Sequence, residues 1–341
     1  MVRPRNTVLV QDTRTAYEQA ADRAVGWLSD QLGEDGSYGP QAEDVACYYK
    51  SPCLLALSGR PREGGRLLDY VQRRFMREDG DVETAADRKS ENAAFQEYWA
   101  YPNAWIALGS LRLGRVDVAY PAIAYLQAHD APCGGFFTHR RAADADDVVD
   151  ALTTAHLGLL ALSFGDVSRA QRAAAYLARL LDAQPDLDRG LHLRTESRGR
   201  VVEEFPAEAA AFHLVSRVAP DQAYFMVGYP IAFLARLAEV TGDRAHLRTA
   251  RGYLDFALSC EGNLRASPLS HKVAWGAAVL GRLTREPQAI ELAQQIADFL
   301  LEIQDAGGGW LQTEPPHTSI DQTAEIAIWL QEIAVELARA G

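Results

Sequence analysis

The sequence predicts an all-α protein, an (α/α)6 barrel in which six outer helices surround six inner ones, with residues 1–341 forming one domain. Two observations carry this expectation. Helical segments of two kinds alternate without exception, amphipathic Arg-rich ones with a single polar face and ones dominated by Ala, Leu and aromatic residues. Connections alternate as well, short after each apolar segment and long before it. A polar-faced helix belongs outside and a helix apolar all round belongs inside, so six such pairs are best buried as two concentric rings.

In chain order the pairs are 14–32 with 43–58, 62–76 with 92–112, 116–128 with 147–164, 167–183 with 222–240, 243–260 with 269–284, and 287–304 with 320–338. Gly59, Gly114, Gly165 and Gly242 each follow an inner helix, where a residue that tolerates the left-handed conformation closes the last turn. The long loops 77–91, 130–146, 184–220 and 304–319 then emerge at one end of the barrel, and function is expected there. Residues 190–205 alternate around a Ser-Arg-Gly turn, which predicts a small β-hairpin as a flap over that mouth.

Composition narrows the function classes. Hydrophobic residues make up 48% and charged residues 23% of the chain, enough apolar material for a large core. The net charge of −12, without any cluster of basic residues, argues against nucleic acid or an anionic membrane as partner. Apolar runs such as Leu157–Phe164 fall far short of the roughly 20 residues that span a bilayer. Met1–Asp12 has no apolar core of a secretory signal, and Cys47, Cys53, Cys133 and Cys260 have no spacing that suggests a disulfide framework, so a reducing, cytoplasmic setting is expected. Cys47 and Cys53 read as small core fillers. A small-molecule substrate is the expected partner, and the oligomeric state is open.

Three turns carry a resemblance. Trp27–Gly39, Leu126–Phe136 and Ile303–Trp310 each pass from a Gln at the end of an outer helix (Gln31, Gln127 and Gln304) through Gly to an aromatic residue. They resemble the turns of the α/α toroids of terpenoid cyclases of the squalene-hopene type and of protein prenyltransferases. Asp144-Ala-Asp-Asp147 resembles the Asp-x-Asp-Asp acid motif of class II terpenoid cyclases. That resemblance implies that Asp146 protonates an alkene or epoxide while Asp144 and Asp147 tune and orient it; clustered carboxylates cannot all ionise, and a protonated acid in a dry cavity is a proton donor. The chain departs from the cyclase pattern in continuing Val148-Val149 rather than Thr-Ala, and it holds one toroid. An acidic first turn that merely favours the helix dipole is the competing reading of the same run. The zinc site of the prenyltransferase branch has only Asp44, Cys47 and His271 as near candidates, with spacing off by one, so neither metal nor other cofactor is expected.

Polar and aromatic residues in the first turns of inner helices would line the funnel. The candidate catalytic residues are Asp146, Asp147, Asp44, His271 and Asp321, and the candidate substrate-binding residues are Tyr48, Glu97, Tyr98, Trp99, His156, Tyr224, Trp275 and Glu325. The competing readings make Asp44 and Asp321 helix caps, Tyr48, Trp275 and Trp329 core, and His156 a satisfied buried histidine. The set points to a cyclase or isomerase acting on a largely apolar, polyene or prenylated small molecule. The alternative is carbohydrate chemistry on the same barrel, as an epimerase, isomerase, glycosidase or lyase with His and Asp acid–base groups. A binding platform with a plugged centre is a third reading.

Overall fold

The computed structural model describes residues 6–139 and 148–341, with side chains from residue 16 onward. The outer ring consists of α1 (Asn6–Ser29), α3 (Pro61–Arg74), α6 (Val116–Leu126), α8 (Val167–Asp182), α11 (Arg244–Ser259) and α13 (Pro287–Glu302). The inner ring consists of α2 (Ser51–Leu57), α5 (Ala100–Arg112), α7 (Ala151–Ser163), α10 (Phe225–Thr241), α12 (His271–Thr284) and α14 (Pro316–Ala340). Two single turns, α4 (Ala94–Glu97) and α9 (Ala210–His213), lie in the long loops. Each inner helix packs on the next, and α14 returns to α2, so the ring closes. No described helix is long and apolar enough to cross a membrane.

The short connections fold each inner helix back on the outer helix that follows it, so α2 pairs with α3, α5 with α6, α7 with α8, α10 with α11 and α12 with α13. The remaining pair is α14 with α1, which joins the two ends of the chain. Between α1 and the neighbouring outer helix α13, Tyr17 Oη donates to Asp298 Oδ1 at 2.6 Å. The four glycines that follow inner helices have φ between 69° and 77°, as the left-handed closure requires, and where no glycine follows α12 the role falls to Arg285 at φ 60°.

Five of the six inner helices begin later than their apolar patterns suggest and α14 begins earlier, because the residues at the mouth are used for other geometry. The 43–58 segment opens with a 3-10 turn over Val45–Cys47, and α14 starts four residues early on Pro315-Pro316, so neither Ser319 nor Asp321 caps it. The start of the 147–164 segment is strand β1 (Val148–Asp150), after which Asp150 caps α7 by accepting from Thr153 N.

The flap segment does turn back on itself around Gly199. Glu196 N donates to Arg200 O and Val202 N to Arg194 O, at 2.9 and 3.0 Å. It is also bolted down at both flanks: β2 (Gly190–His192) pairs antiparallel with β4 (Leu214–Ser216), and β3 (Arg194–Glu196) pairs with β1, with Thr195 opposite Val149.

The Gln-to-aromatic turns work as joints between neighbouring outer helices. Gln304 Nε2 donates to Ala20 O in α1 and to Gly308 O at 2.8 and 2.7 Å, and Trp310 Nε1 donates to Leu300 O at 2.9 Å. A fourth such joint, at Asp79-Gly80, has no aromatic residue to mark it. A Cβ on Gly80, at φ +88°, would overlap the Pro121 carbonyl of α6, so the turn lies directly against that helix.

Candidate active site

Four inner helices bring their mouth-side ends to one point below the mouth. Lys50 precedes α2, Tyr101 opens α5, His271 and Lys272 open α12, and Asp321 and Glu325 stand one turn apart on α14. All six are buried. Glu325 is the hub. Its Oε2 lies 2.5 Å from Lys50 Nζ and 3.3 Å from His271 Nε2, while its Oε1 lies 2.6 Å from Lys272 Nζ and accepts from Tyr101 Oη at 3.1 Å. Asp321 Oδ1 is 2.8 Å from Lys50 Nζ.

Burial acts to raise the Glu325 pKa, but the ammoniums of Lys272 and Lys50 outweigh it and hold the carboxyl well below the usual range. Asp321 moves the other way, raised by burial and by the charge of Glu325 against the opposing effect of Lys50. Burial brings Lys272 down to about 8, with Glu325 resisting. His271 is lowered by burial and by Lys272. Its Nδ1 donates to Pro268 O at 2.6 Å, which leaves Nε2 as a lone pair facing Lys272 Nζ at 3.0 Å.

Above this floor is a cavity of about 300 Å3. Its walls are aromatic and aliphatic, including Tyr49, Phe95, Tyr98, Phe212 and Phe225, and its floor is Lys50, His271, Lys272, Asp321 and Glu325. Lys50 Nζ sits 5.0 Å from the Tyr49 ring centre, and Lys272 Nζ sits 4.8 Å from that of Phe225. Below the floor, His156 stacks on Tyr229 with ring centres 4.9 Å apart and meets Trp105 at 5.4 Å, and Trp275 stacks on Trp329 at 4.1 Å. This layer divides the hub, and a second cavity lies beyond it.

Of the residues expected from sequence, His271, Asp321, Glu325 and Tyr98 meet at the mouth cavity. His156 and Trp275 belong to the aromatic layer instead and border the second cavity. Asp44 caps its 3-10 turn and is saturated by Ala46 N, Ser90 Oγ and Glu91 N. Tyr48 accepts from Tyr38 N and donates to Ala42 O, beneath the first turn. Trp99 donates to Asp81 Oδ2 at 2.8 Å, and Tyr224 faces Ala219 O and Asn263 Oδ1 in a loop. Asp146 and Asp147 lie outside the described residues.

Lys50 was not among the expected residues, yet the sequence carries a signal for it. Of 34 cationic side chains only Lys50, Lys89 and Lys272 are lysines. All three are buried. A chain that places Arg throughout its surface and confines Lys to its interior is using the ammonium as a compact, pKa-adjustable charge. Lys89 serves a separate clamp, held by Asp81, by Val82 O and by Asn103 Oδ1 under the 77–91 loop.

At the rim, Glu97 accepts from Arg194 Nη2 at 2.9 Å and lies 3.4 Å from His139 Nε2, and these two neighbours bring its pKa down to about 2. Burial lifts the Asp150 carboxyl from 3.8 to about 6. An acid with a raised folded pKa stabilises below its unfolded pKa and loses that contribution as pH rises through 4–6. Asp150→Asn keeps the cap and removes the buried charge. It is therefore expected to raise stability at pH 7 by up to about 3 kcal/mol and to flatten the pH 4–6 dependence of the urea midpoint.

No protein-family model and no curated protein matches the sequence. Solved structures do match. The type II terpene cyclase MstE from Scytonema is 15% identical over 95% of this chain and 99% of its own, with a TM-score of 0.59. A D-mannose isomerase is 11% identical over 99% of both chains, with a TM-score of 0.69. The GH76 α-mannanase BT2949 of Bacteroides thetaiotaomicron is 11% identical over 94% of this chain and 96% of its own, with a TM-score of 0.62. What these proteins have in common with the described chain is the architecture, and the chain is an (α/α)6 toroid.

Proposed function

We propose that this chain is an acid-catalysing cyclase or isomerase that takes a largely apolar, unsaturated small molecule into the mouth cavity, with Asp321 as proton donor. The observation that carries this reading is the unequal setting of two buried carboxyls one helical turn apart: Glu325 meets both Lys50 and Lys272 and accepts from Tyr101, whereas Asp321 meets Lys50 and faces the charge of Glu325, which favours the protonated form in Asp321 and the ionised form in Glu325. Paired acids pushed apart in this way divide into a donor and an electrostatic partner.

In the proposed reaction the Asp321 carboxyl gives its proton to one alkene carbon, the π pair forms the new C–H bond, and the positive charge appears on the neighbouring carbon. The ring faces of Tyr49, Phe95 and Phe225 support that charge, and a second double bond or a proton loss consumes it. The proton released from carbon returns to Asp321, so the catalyst is regenerated and the product is an isomer. Lys50, 2.8 Å from Asp321, supports the carboxylate between the two transfers. With Asp321 protonated and His271 neutral, the floor presents two ammoniums to one carboxylate, which suits a substrate with an anionic head. MstE is known with geranylgeranyl dihydroxybenzoate as substrate, a prenylated aromatic acid of this kind.

The test is a panel of polyenes, prenylated aromatic acids, prenyl diphosphates and aldoses, run with wild type, Asp321→Asn and Asp146→Asn. Turnover of an unsaturated substrate, lost by at least about 100-fold in Asp321→Asn with its melting temperature kept, supports the assignment. Full activity in Asp321→Asn with loss in Asp146→Asn moves the donor to the acidic run that resembles the cyclase motif. The second reading, sugar isomerisation, draws on the hydrogen-bonding floor of Lys50, His271, Lys272 and Glu325, and turnover confined to aldoses favours it.

A further inference from the structure

At the end of the barrel opposite the mouth, the C-terminal halves of the inner helices enclose a second cavity of about 370 Å3 that the proposed chemistry does not use. Its walls are apolar, with Leu108, Leu159 and Ile328 among them. Two features of this cavity bear on what it would hold.

The first is at its inner end. Both ring nitrogens of His156 and the indole N–H groups of Trp105 and Trp275 are buried and have no hydrogen-bond partner among the described residues. All three side chains border the cavity. Buried polar groups are satisfied in native proteins, by protein, water or ligand, so four such atoms at the end of an apolar shaft require an explanation. Trp275 can only donate, and burial lowers His156 to about 3, so its imidazole is neutral with one N–H and one lone pair. The indole N–H groups and the one imidazole N–H call for an accepting oxygen.

The second is at the rim. Arg112 and Arg236 alternate with Glu239 and Glu332 around the opening, and all four are already paired. Arg112 lies 3.6 Å from Glu332; Arg236 lies 3.3 Å from Glu332, 2.8 Å from Glu336 and 3.2 Å from Glu239; and Glu239 also meets Arg282 at 2.8 Å. A ligand carrying net charge would find its counter-charge taken.

We propose that this cavity is a second binding site, for an uncharged small molecule with an apolar ring or chain as its body and a hydrogen-bond-accepting oxygen at its inner end. Ligand pockets of this size are apolar shafts with a few oriented polar groups, and here those groups are the unpartnered N–H donors.

The test uses 1-tetralone, a flat ketone, beside tetralin, the same bicycle without the oxygen. In 15N-labelled protein the six tryptophans report through their indole N–H signals. The expected result is a saturable shift of the Trp275 signal with 1-tetralone, and binding of tetralin at least tenfold weaker. Ser163→Trp and Val240→Trp place a large side chain at exposed rim positions of the opening and are expected to abolish the shift with the melting temperature unchanged. The two variants are independent, so a folding failure in one leaves the other. Absence of a saturable Trp275 shift, a shift that survives the rim tryptophans, or equal binding of tetralin overturns the proposal. None of these readouts requires turnover at the mouth, so the result is independent of the assignment of Asp321.

Discussion

Glu325→Gln is expected to destabilise the protein by about 3–5 kcal/mol at pH 7, read as a lowered urea midpoint with unchanged slope. The substitution is nearly isosteric, and Gln can still accept from Tyr101. What it removes is the negative charge shared by Lys50 and Lys272, both buried. Asp321 can ionise in compensation for Lys50, because the two already lie within ion-pair distance, but among the described residues Lys272 has only Glu325 as its paired carboxylate. An uncompensated buried ammonium loses its proton, and the free energy of that loss appears as instability.

The pH dependence distinguishes this cause from a packing defect. Lys272 is at about 8 in the fold, below its ordinary value of 10.5, so the unfolded chain binds more protons and stability rises with pH through that interval. In Glu325→Gln the folded pKa falls further and the rise starts at lower pH. The gap between variant and wild type should therefore narrow between pH 7 and 9.5, where the wild type has also lost much of the Lys272 charge. A gap of constant size across that range would mean that charge is not the source.

Gly228→Ala is expected to be at least as damaging, by more than about 3 kcal/mol, or to prevent folding. A Cβ at this position in α10 would overlap the backbone carbonyl of Lys272 in α12. The approach is mutual, since a Cβ on Gly276 would come within 2.8 Å of Gly228 O. Backbone cannot move aside as a side-chain end can, so the two helices must separate, and Lys272 would leave Glu325 with them. Activity and stability should fall together. Gly65→Ala on the outer helix α3 is the control of opposite sign, because its Cβ meets nothing within 4 Å and the helix gains propensity, by about 0.5–1 kcal/mol. Urea midpoints of the three proteins decide the matter.

Much of the barrel was readable because burial imposes a period on sequence. Helices between two layers are apolar all round, helices facing water on one side are not, and that contrast survives in α5, α7 and α10 against α3, α8 and α11. Harder to read were the helix starts at the mouth. There Asp150 caps α7 after a strand and α14 begins on a proline pair, because loop strands and turns compete with helix for the same residues. The joint at Gly80 has no mark in the sequence for a related reason: the closeness of its backbone to α6 defines it, and no aromatic side chain signals that closeness.

The site was only partly readable. Asp321 and Glu325 stood out as polar residues on an apolar helix, and His271 as the opening of another. Tyr48, Trp99 and Tyr224 looked equivalent to them by position, yet each is held by a loop partner that sequence spacing does not reveal. The three lysines among 34 cations were the stronger signal, since a residue type withheld from the surface is being reserved for the interior.

What the sequence determined by itself is the alternation of layers and the end of the barrel at which long loops gather, because both follow from local periodicity and local chain length. What only the tertiary structure decided is which charges meet. Lys50 and Glu325 are 275 residues apart and Lys272 belongs to a third helix, so ring closure, with α14 returning to α2, is what assembles them. The same closure separates the protonation of two acids four residues apart on one helix, because a carboxyl responds to the water it loses and the charges it gains, and in this barrel both come from distant parts of the chain.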